Sequence, residues 1–368
     1  MLLVKTQKEA ILAPLQSVCG IVEKRHTLPI LSNVLIEKND SNVTLLATDI
    51  EIQIRTSAPG AVPGEPVAVT VGARKLQDIL RALPDGADLS LALEDKRLQV
   101  RSGRSRFNLQ TLPAADYPRM AQNEGEQVRL QLSQKGFKRL LGLVQYAMAQ
   151  QDIRYYLNGL LLVVTGKELR AVATDGHRLA YVAEALEQEM PRADIILPRK
   201  TVIELSRLLA DNDDALEMRL SGNQALFRFG SIELVSKLID GKFPDYERVV
   251  PHGHGKTLRI PRQQLLQSLQ RAAILTNEKF RGVRLVLADG SLKIISSNAE
   301  QEEAQEEIEV AYHGDALDIG FNVTYLLDIL NNVSVEEVEC HLADANSSAL
   351  ITLPGNPHFK YVVMPMRI

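Results

Sequence analysis

LLATDIEIQIR (45–55), LRAVATDGHRLAYV (169–182) and LKIISSNAEQEEAQ (292–305) decide the fold of this 368-residue chain. Each is a strand-like run with a polar corner, at Asp49, Asp175 and Asn298. Another strand-like run precedes each: LPILSNVLIEK (28–38), RYYLNGLLLVV (154–164) and KFRGVRLVLAD (279–289). From Asn33, Asn158 and Gly282 to the corners is 16, 17 and 16 residues. Upstream of each pair, apolar residues recur at helical spacing: Ile11, Leu12, Leu15, Val18 and Val22; Phe137, Leu140, Leu141, Val144 and Met148; Leu265, Leu269, Ala272 and Ala273. Downstream lies a second helical pattern, at Leu76, Ile79, Leu80 and Leu83, at Val202, Leu205 and Leu209, and at Leu326, Ile329, Leu330 and Val333. It starts 27, 27 and 28 residues past the corner. The same order of elements at near-equal spacing, three times over, predicts three copies of one domain.

AQNEGEQ (121–127) and PHGHGK (251–256) read as linkers, polar and containing Gly, the second with a proline as well. The predicted domains are therefore 1–121, 127–252 and 256–368, each with two helices and many strands. Helices segregated to one face of mostly antiparallel sheets make an α+β architecture. No apolar run is long enough to span a membrane, and the N-terminus, with Lys5, Lys8 and Glu9, does not read as a secretory leader. Cys19 and Cys340 lie far apart with no CxxC spacing and read as two unpaired, buried thiols in a cytoplasmic protein.

Net charge is −4, which alone argues against a nucleic-acid binder. The distribution argues otherwise. Arg74, Lys75 and Arg81, then Lys135, Lys138 and Arg139, then Arg199, Lys200 and Arg207, then Arg262 and Arg271 lie in four of the predicted helices, and Lys24 and Arg25 end the first. Acid concentrates instead at 300–309, which holds six Glu. A face built from such helices attracts phosphates without reading bases, in a salt-dependent way.

Chemistry is harder to find. Thr174-Asp175-Gly176-His177-Arg178 places an acid near a histidine, but no Ser or Cys nucleophile in a strand–turn–helix setting accompanies it. Asp175 reads better as a turn residue bonding its own backbone, because the first copy has Thr48-Asp49-Ile50 at the same corner. His252 and His254 form an HxH pair with no third ligand nearby, and there is no GxGxxG or GxxxxGK[ST]. No catalytic residue, metal ligand or cofactor is expected. The rival readings are an open-groove, non-specific DNA-binding protein and a hydrolase using Asp175 and His177.

Several long stretches resemble one family, the bacterial DNA sliding clamp (DNA polymerase III β subunit): TLPILSNVL (27–35), VRSGRSRFNLQTLPAADYP (100–118), QDIRYYLNGLL (151–161), ATDGHRLA (173–180), SKLIDGKFPDYERV (236–249), RAAILTNEKFRGVRL (271–285) and the chain end YVVMPMRI. The resemblance implies a non-catalytic processivity factor. Two three-domain chains would join head to tail in a ring around duplex DNA, tethering replicative and repair polymerases. It implies DNA contacts at Arg25, Arg74, Lys75, Gln151, Tyr156, Arg199 and Lys200. It implies a dimer contact between Arg104, Arg106, Phe107 and Leu109 of one chain and Ile274, Leu275, Glu300 and Glu303 of the other. It also implies a groove for short apolar peptides of polymerases, the clamp loader and repair proteins. That groove would be lined by Leu157, Thr174, Gly176, His177, Arg178, Leu179, Pro244, Val249, Asn322, Tyr325, Ser348, Val362, Met364 and Met366. The chain end gives its own hint: Val362, Val363, Met364 and Met366 are apolar where termini usually fray, so something is expected to cover them, and methionine surfaces adapt to different ligands.

Overall fold

The computed structural model describes residues 1–23, 28–40, 42–121, 128–253 and 255–368. Arg25, the 122–127 part of the first linker and His254 lie outside them. Six α-helices occur among the described residues: α1 (Lys8–Cys19), α2 (Ala73–Ala82), α3 (Gln134–Val144), α4 (Arg199–Leu208), α5 (Arg262–Ala272) and α6 (Val323–Asn332). Each is entered directly from a strand, and its first N–H groups have no partner within the helix. Side chains supply one at two of them: Asn322 Oδ1 accepts from Thr324 N at 2.9 Å at the start of α6, and Ser133 Oγ accepts from Gly136 N at 3.0 Å at the start of α3. The apolar positions predicted from helical spacing are the buried ones. Ile11, Leu15 and Val18 in α1 and Leu140, Leu141 and Val144 in α3 are wholly buried; Leu12 and Ile79 reach the edge of their stripes and stay half-buried. None of the described helices is long and apolar enough to cross a membrane.

The chain divides into two compact units, one of residues 1–138 and 203–238, the other of 139–202 and 239–368. The first holds a twelve-stranded antiparallel sheet. Within it α1 packs on α2 and on the strands Val43–Thr48 and Ile52–Ala58. The sheet passes from the first copy into the second where Ile52–Ala58 pairs with Ile232–Lys237, Ser236 lying opposite Ile52. The second unit holds a six-stranded and a four-stranded sheet. Its equivalent junction joins the long strand Arg178–Pro198 to Asn356–Val363, with Val363 opposite Arg178. Helices covering antiparallel sheets in repeated order make the α+β fold that the three-copy pattern predicts.

Both cysteines are free. Cys19 is buried and Cys340 half-buried, and desolvation pushes both thiols up to about 12, which leaves them protonated and unreactive at neutral pH. The apolar chain end departs in part from its expectation. Val362 and Val363 are buried by the protein's own sheet pairing, so they need no outside cover, whereas Met364 is 43% exposed.

Candidate functional site

The corner at 174–178 is set by hydrogen bonds to its own backbone. Asp175 Oδ1 accepts from His177 N (2.9 Å) and Arg178 N (3.1 Å). Thr174 Oγ1 accepts from Gly176 N and donates to Arg178 O at 2.6 Å. The first copy repeats all four bonds: Asp49 Oδ1 accepts from Glu51 N and Ile52 N, and Thr48 Oγ1 accepts from Ile50 N and donates to Ile52 O. Asp175 is therefore a turn residue whose other oxygen takes Arg178 Nε at 3.2 Å. The His177 ring does not engage it but stacks on Tyr325, centroids 6.4 Å apart. The Asp–His arrangement that the hydrolase reading requires is not formed.

Behind this corner lies an apolar cleft of about 180 Å³ in the second unit. Ten of the fourteen expected groove residues line it: Leu157, Thr174, Gly176, His177, Arg178, Leu179, Pro244, Val249, Val362 and Met364. Its floor is continuous with a core of Leu161, Val163, Val172 and Phe243. The chain end is laced in place by Met364 N donating to His177 O and Met366 N donating to Gly320 O, both at 2.9 Å. Gly320 permits that approach, since a Cβ there would meet Met366 O at 2.5 Å. The other four expected residues are not among those that line it. Tyr325 lies beneath Arg178, Asn322 caps α6, Met366 runs beside Gly320, and Ser348 is half-buried just before the strand Ala349–Leu353.

Two lining residues escaped the sequence reading. Arg154 donates to both carboxylate oxygens of Asp152 (3.0 and 2.9 Å) and to Asp175 O, and its side-chain bonds hold the Asp152 carboxyl down to about 2. The Asp152-x-Arg154 spacing is the signal that could have pointed to it. Tyr246 packs at a tilt against Tyr181, its hydroxyl 3.3 Å from Arg170 Nη1. A second cleft, polar and about 500 Å³, lies against the first, and His177 and Arg178 line both. Asp152, Asp175, Arg199 and Asp328 face it.

The residues expected at DNA fall in both units. In the first unit Arg74 and Lys75 are exposed on the first turn of α2, Arg74 donating to Val22 O at 2.6 Å. In the second unit Gln151 is exposed at φ 57°, and Tyr156 is half-buried against the cleft's core. Arg199 and Lys200 open α4, half-buried, with Arg199 Nη1 3.3 Å from Met148 O.

Of the residues expected at a chain–chain contact, Arg106, Phe107, Leu109 and Glu303 lie on strands with an open edge, Ile274 and Leu275 in a 3-10 turn after α5, and Arg104 and Glu300 in turns. Ser105–Leu112 bonds one neighbour over 105–110 and leaves its other edge unpaired there among the described residues. Arg104 and Arg106 are exposed, Phe107 is 36% exposed and Leu109 half-buried; Arg106 reaches Glu94 at 3.6 Å. In the second unit Glu303–Glu309 is the edge of the four-stranded sheet. Ile274 is 76% exposed, Leu275 half-buried, and Glu300 and Glu303 exposed. Phe107 and Ile274 are thus surface residues and not core.

Comparison with known proteins gives the context for this geometry. Residues 2–121, 131–245 and 247–367 match the profiles of the N-terminal, central and C-terminal domains of the DNA polymerase III beta subunit. The beta sliding clamp of Pseudomonas putida is 48% identical over 364 residues, covering 98% of this chain and 99% of its own. That of Escherichia coli K12 is 47% identical over 362 residues, with the same coverage. The crystal structure of the DNA polymerase III subunit beta from Pseudomonas aeruginosa superposes with a TM-score of 0.95 at 46% identity over the whole of both chains. With three domain profiles in tandem along its length and near-half identity to whole relatives, this chain belongs to the DNA polymerase III beta subunit family, the beta sliding clamps.

Proposed function

We propose that the protein acts as a closed ring of two chains joined head to tail around duplex DNA in the cytoplasm, and that it tethers polymerases without catalysing a reaction. The observation that carries the reading is the pair of open strand edges of opposite charge: Ser105–Leu112, flanked by Arg104 and Arg106, and Glu303–Glu309, with Glu300 just before it. An unpaired edge is a template for another strand, and a contact between two different surfaces of one chain closes into a ring when the rotation allows. Phe107 and Ile274 supply exposed apolar anchors beside these edges. Two free thiols fit a reducing compartment.

Arg25, Arg74, Lys75, Arg199 and Lys200 would neutralise phosphates, with Gln151 and Tyr156 touching sugar or bases in passing. Such contacts are independent of base sequence and weaken with salt, so the ring stays on DNA by topology and not by affinity. The apolar cleft beside His177 would take short apolar peptides of polymerases, the clamp loader and repair proteins, which then compete for it. Tethering raises the effective concentration of polymerase at the primer end without any new contact to DNA.

The test is retention on nicked circular DNA after loading, before and after one restriction cut. The expected result is survival on the circle at moderate salt and release on cutting. Equal, salt-sensitive binding to circle and linear DNA would replace the ring with an open basic groove.

A further inference from the structure

The polar side of Arg178 is more heavily committed than its place in an apolar cleft requires. Its Nε donates to Asp175 Oδ2 at 3.2 Å, Nη2 to Tyr146 O at 2.7 Å and Nη1 to Asp328 Oδ2 at 2.5 Å. The guanidinium carbon lies 4.6 Å from the centre of the Tyr325 ring. The Arg178 side chain is 9% exposed, whereas that of Asp328 is 32% exposed, at the rim of the polar cleft and not in the apolar one. All three bonds draw the charged head to the polar side, and the aliphatic stem is left to line the apolar cleft, as long cationic side chains commonly do. Asp175 lies three residues before Arg178 and Tyr146 thirty-two before it. Asp328 and Tyr325 come from α6, far along the sequence.

We infer that Asp328 is a positioning residue for the peptide groove: it holds the Arg178 guanidinium over the Tyr325 ring, out of the apolar cleft, and so sets the affinity for an apolar peptide. The inference rests on the cleft being the peptide site. Without the carboxylate, the head loses its ionic anchor on α6 and swings within reach of the cleft, where a charge opposes apolar burial. Asp328 touches no peptide in this account and acts only through Arg178.

The experiment is a fluorescence-anisotropy titration of a fluorescein-labelled Ala-Leu-Leu-Phe-Ala peptide against the full chain and four variants. Asp328→Asn is expected to raise Kd about tenfold, and Asp328→Glu, which keeps the carboxylate, to stay within about threefold of the wild type. In an Arg178→Ala background, adding Asp328→Asn is expected to change Kd no further, because the two act as a unit. A merely structural role for Asp328 would lower affinity equally in both backgrounds, and that result would overturn the inference, as would wild-type affinity in Asp328→Asn. Melting curves identify a variant that fails to fold, in which case the Asp328→Glu and Arg178→Ala chains still carry the comparison. A wild-type chain that does not bind the peptide would overturn the groove assignment itself, and the inference with it.

Discussion

Ile50 sits at φ 71°, a backbone region that β-branched residues almost never occupy, because Cβ crowds the following carbonyl. The corner bonds of Thr48 and Asp49 hold it there, as those of Thr174 and Asp175 hold Gly176 at φ 90°. In the second copy a Cβ at 176 would also come to 3.0 Å from the Arg154 guanidinium, whose flexible side chain would have to shift slightly. In the first copy the side chain at this place, that of Ile50, is 41% exposed. Ile50→Gly should relieve about 1–2 kcal/mol of backbone strain and add back about 0.5–1 kcal/mol of chain entropy. The expected outcome is a small net stabilisation, seen in thermal unfolding as a midpoint about 2–4 °C higher for that unit. A lower midpoint would mean that Ile50 makes contacts worth more than the strain.

The two sheet junctions show why one of two near-identical corners forms an apolar cleft. Lys237 N donates to Glu51 O and Met364 N to His177 O, both at 2.9 Å, so Lys237 occupies the place of Met364 and Glu51 that of His177. Gln53 lies opposite Val235 as Leu179 lies opposite Val362. The first junction is polar: Lys237 pairs with Glu51 at 3.0 Å, and buried Gln53 accepts from Met120 N at 2.9 Å. The backbone is shared, and the side chains decide the ligand. Leu179→Gln with Met364→Lys should give the second junction the polarity of the first. Each change removes about 1–2 kcal/mol of apolar contact, so peptide Kd should rise roughly a hundredfold while the far-UV dichroism is unchanged. A Kd within threefold of the wild type would place the peptide elsewhere. Much of this was legible in the sequence. Helical spacing and the repeated corner are local signals, and Thr-Asp at the turn carries its own bonding pattern. The junctions were not legible, because Ile52–Ala58 pairs with a strand about 180 residues on and nothing local specifies that register. Tyr246 and Asp328 were missed for the same reason: each gains its role from neighbours that lie far away in sequence.

At the scale of the whole molecule, net charge misleads and its placement instructs. A chain of net charge −4 can encircle a polyanion if its acid is gathered where another copy, and not DNA, will meet it. In the proposed ring the run at 300–309 is such a place, and part of it is already engaged: Arg271 pairs with Glu306 within the chain, leaving Glu300 and Glu303 exposed. The basic edge is likewise tempered, with Arg101 and Arg106 both near Glu94. Exposed ion pairs of this kind contribute little each and are screened by salt, so the apolar anchors must supply most of the closure. Ile274→Asp with Leu275→Asp removes two anchors and brings like charge toward the acidic run. Association should weaken by at least a hundredfold, and sedimentation should show a single chain where the wild type runs at twice the mass. The same variant should bind an apolar peptide normally, since its cleft lies around His177 and Met364, yet be lost from nicked circular DNA at moderate salt. Retention on the circle by a chain that sediments as a monomer would separate DNA holding from ring closure and remove the topological mechanism.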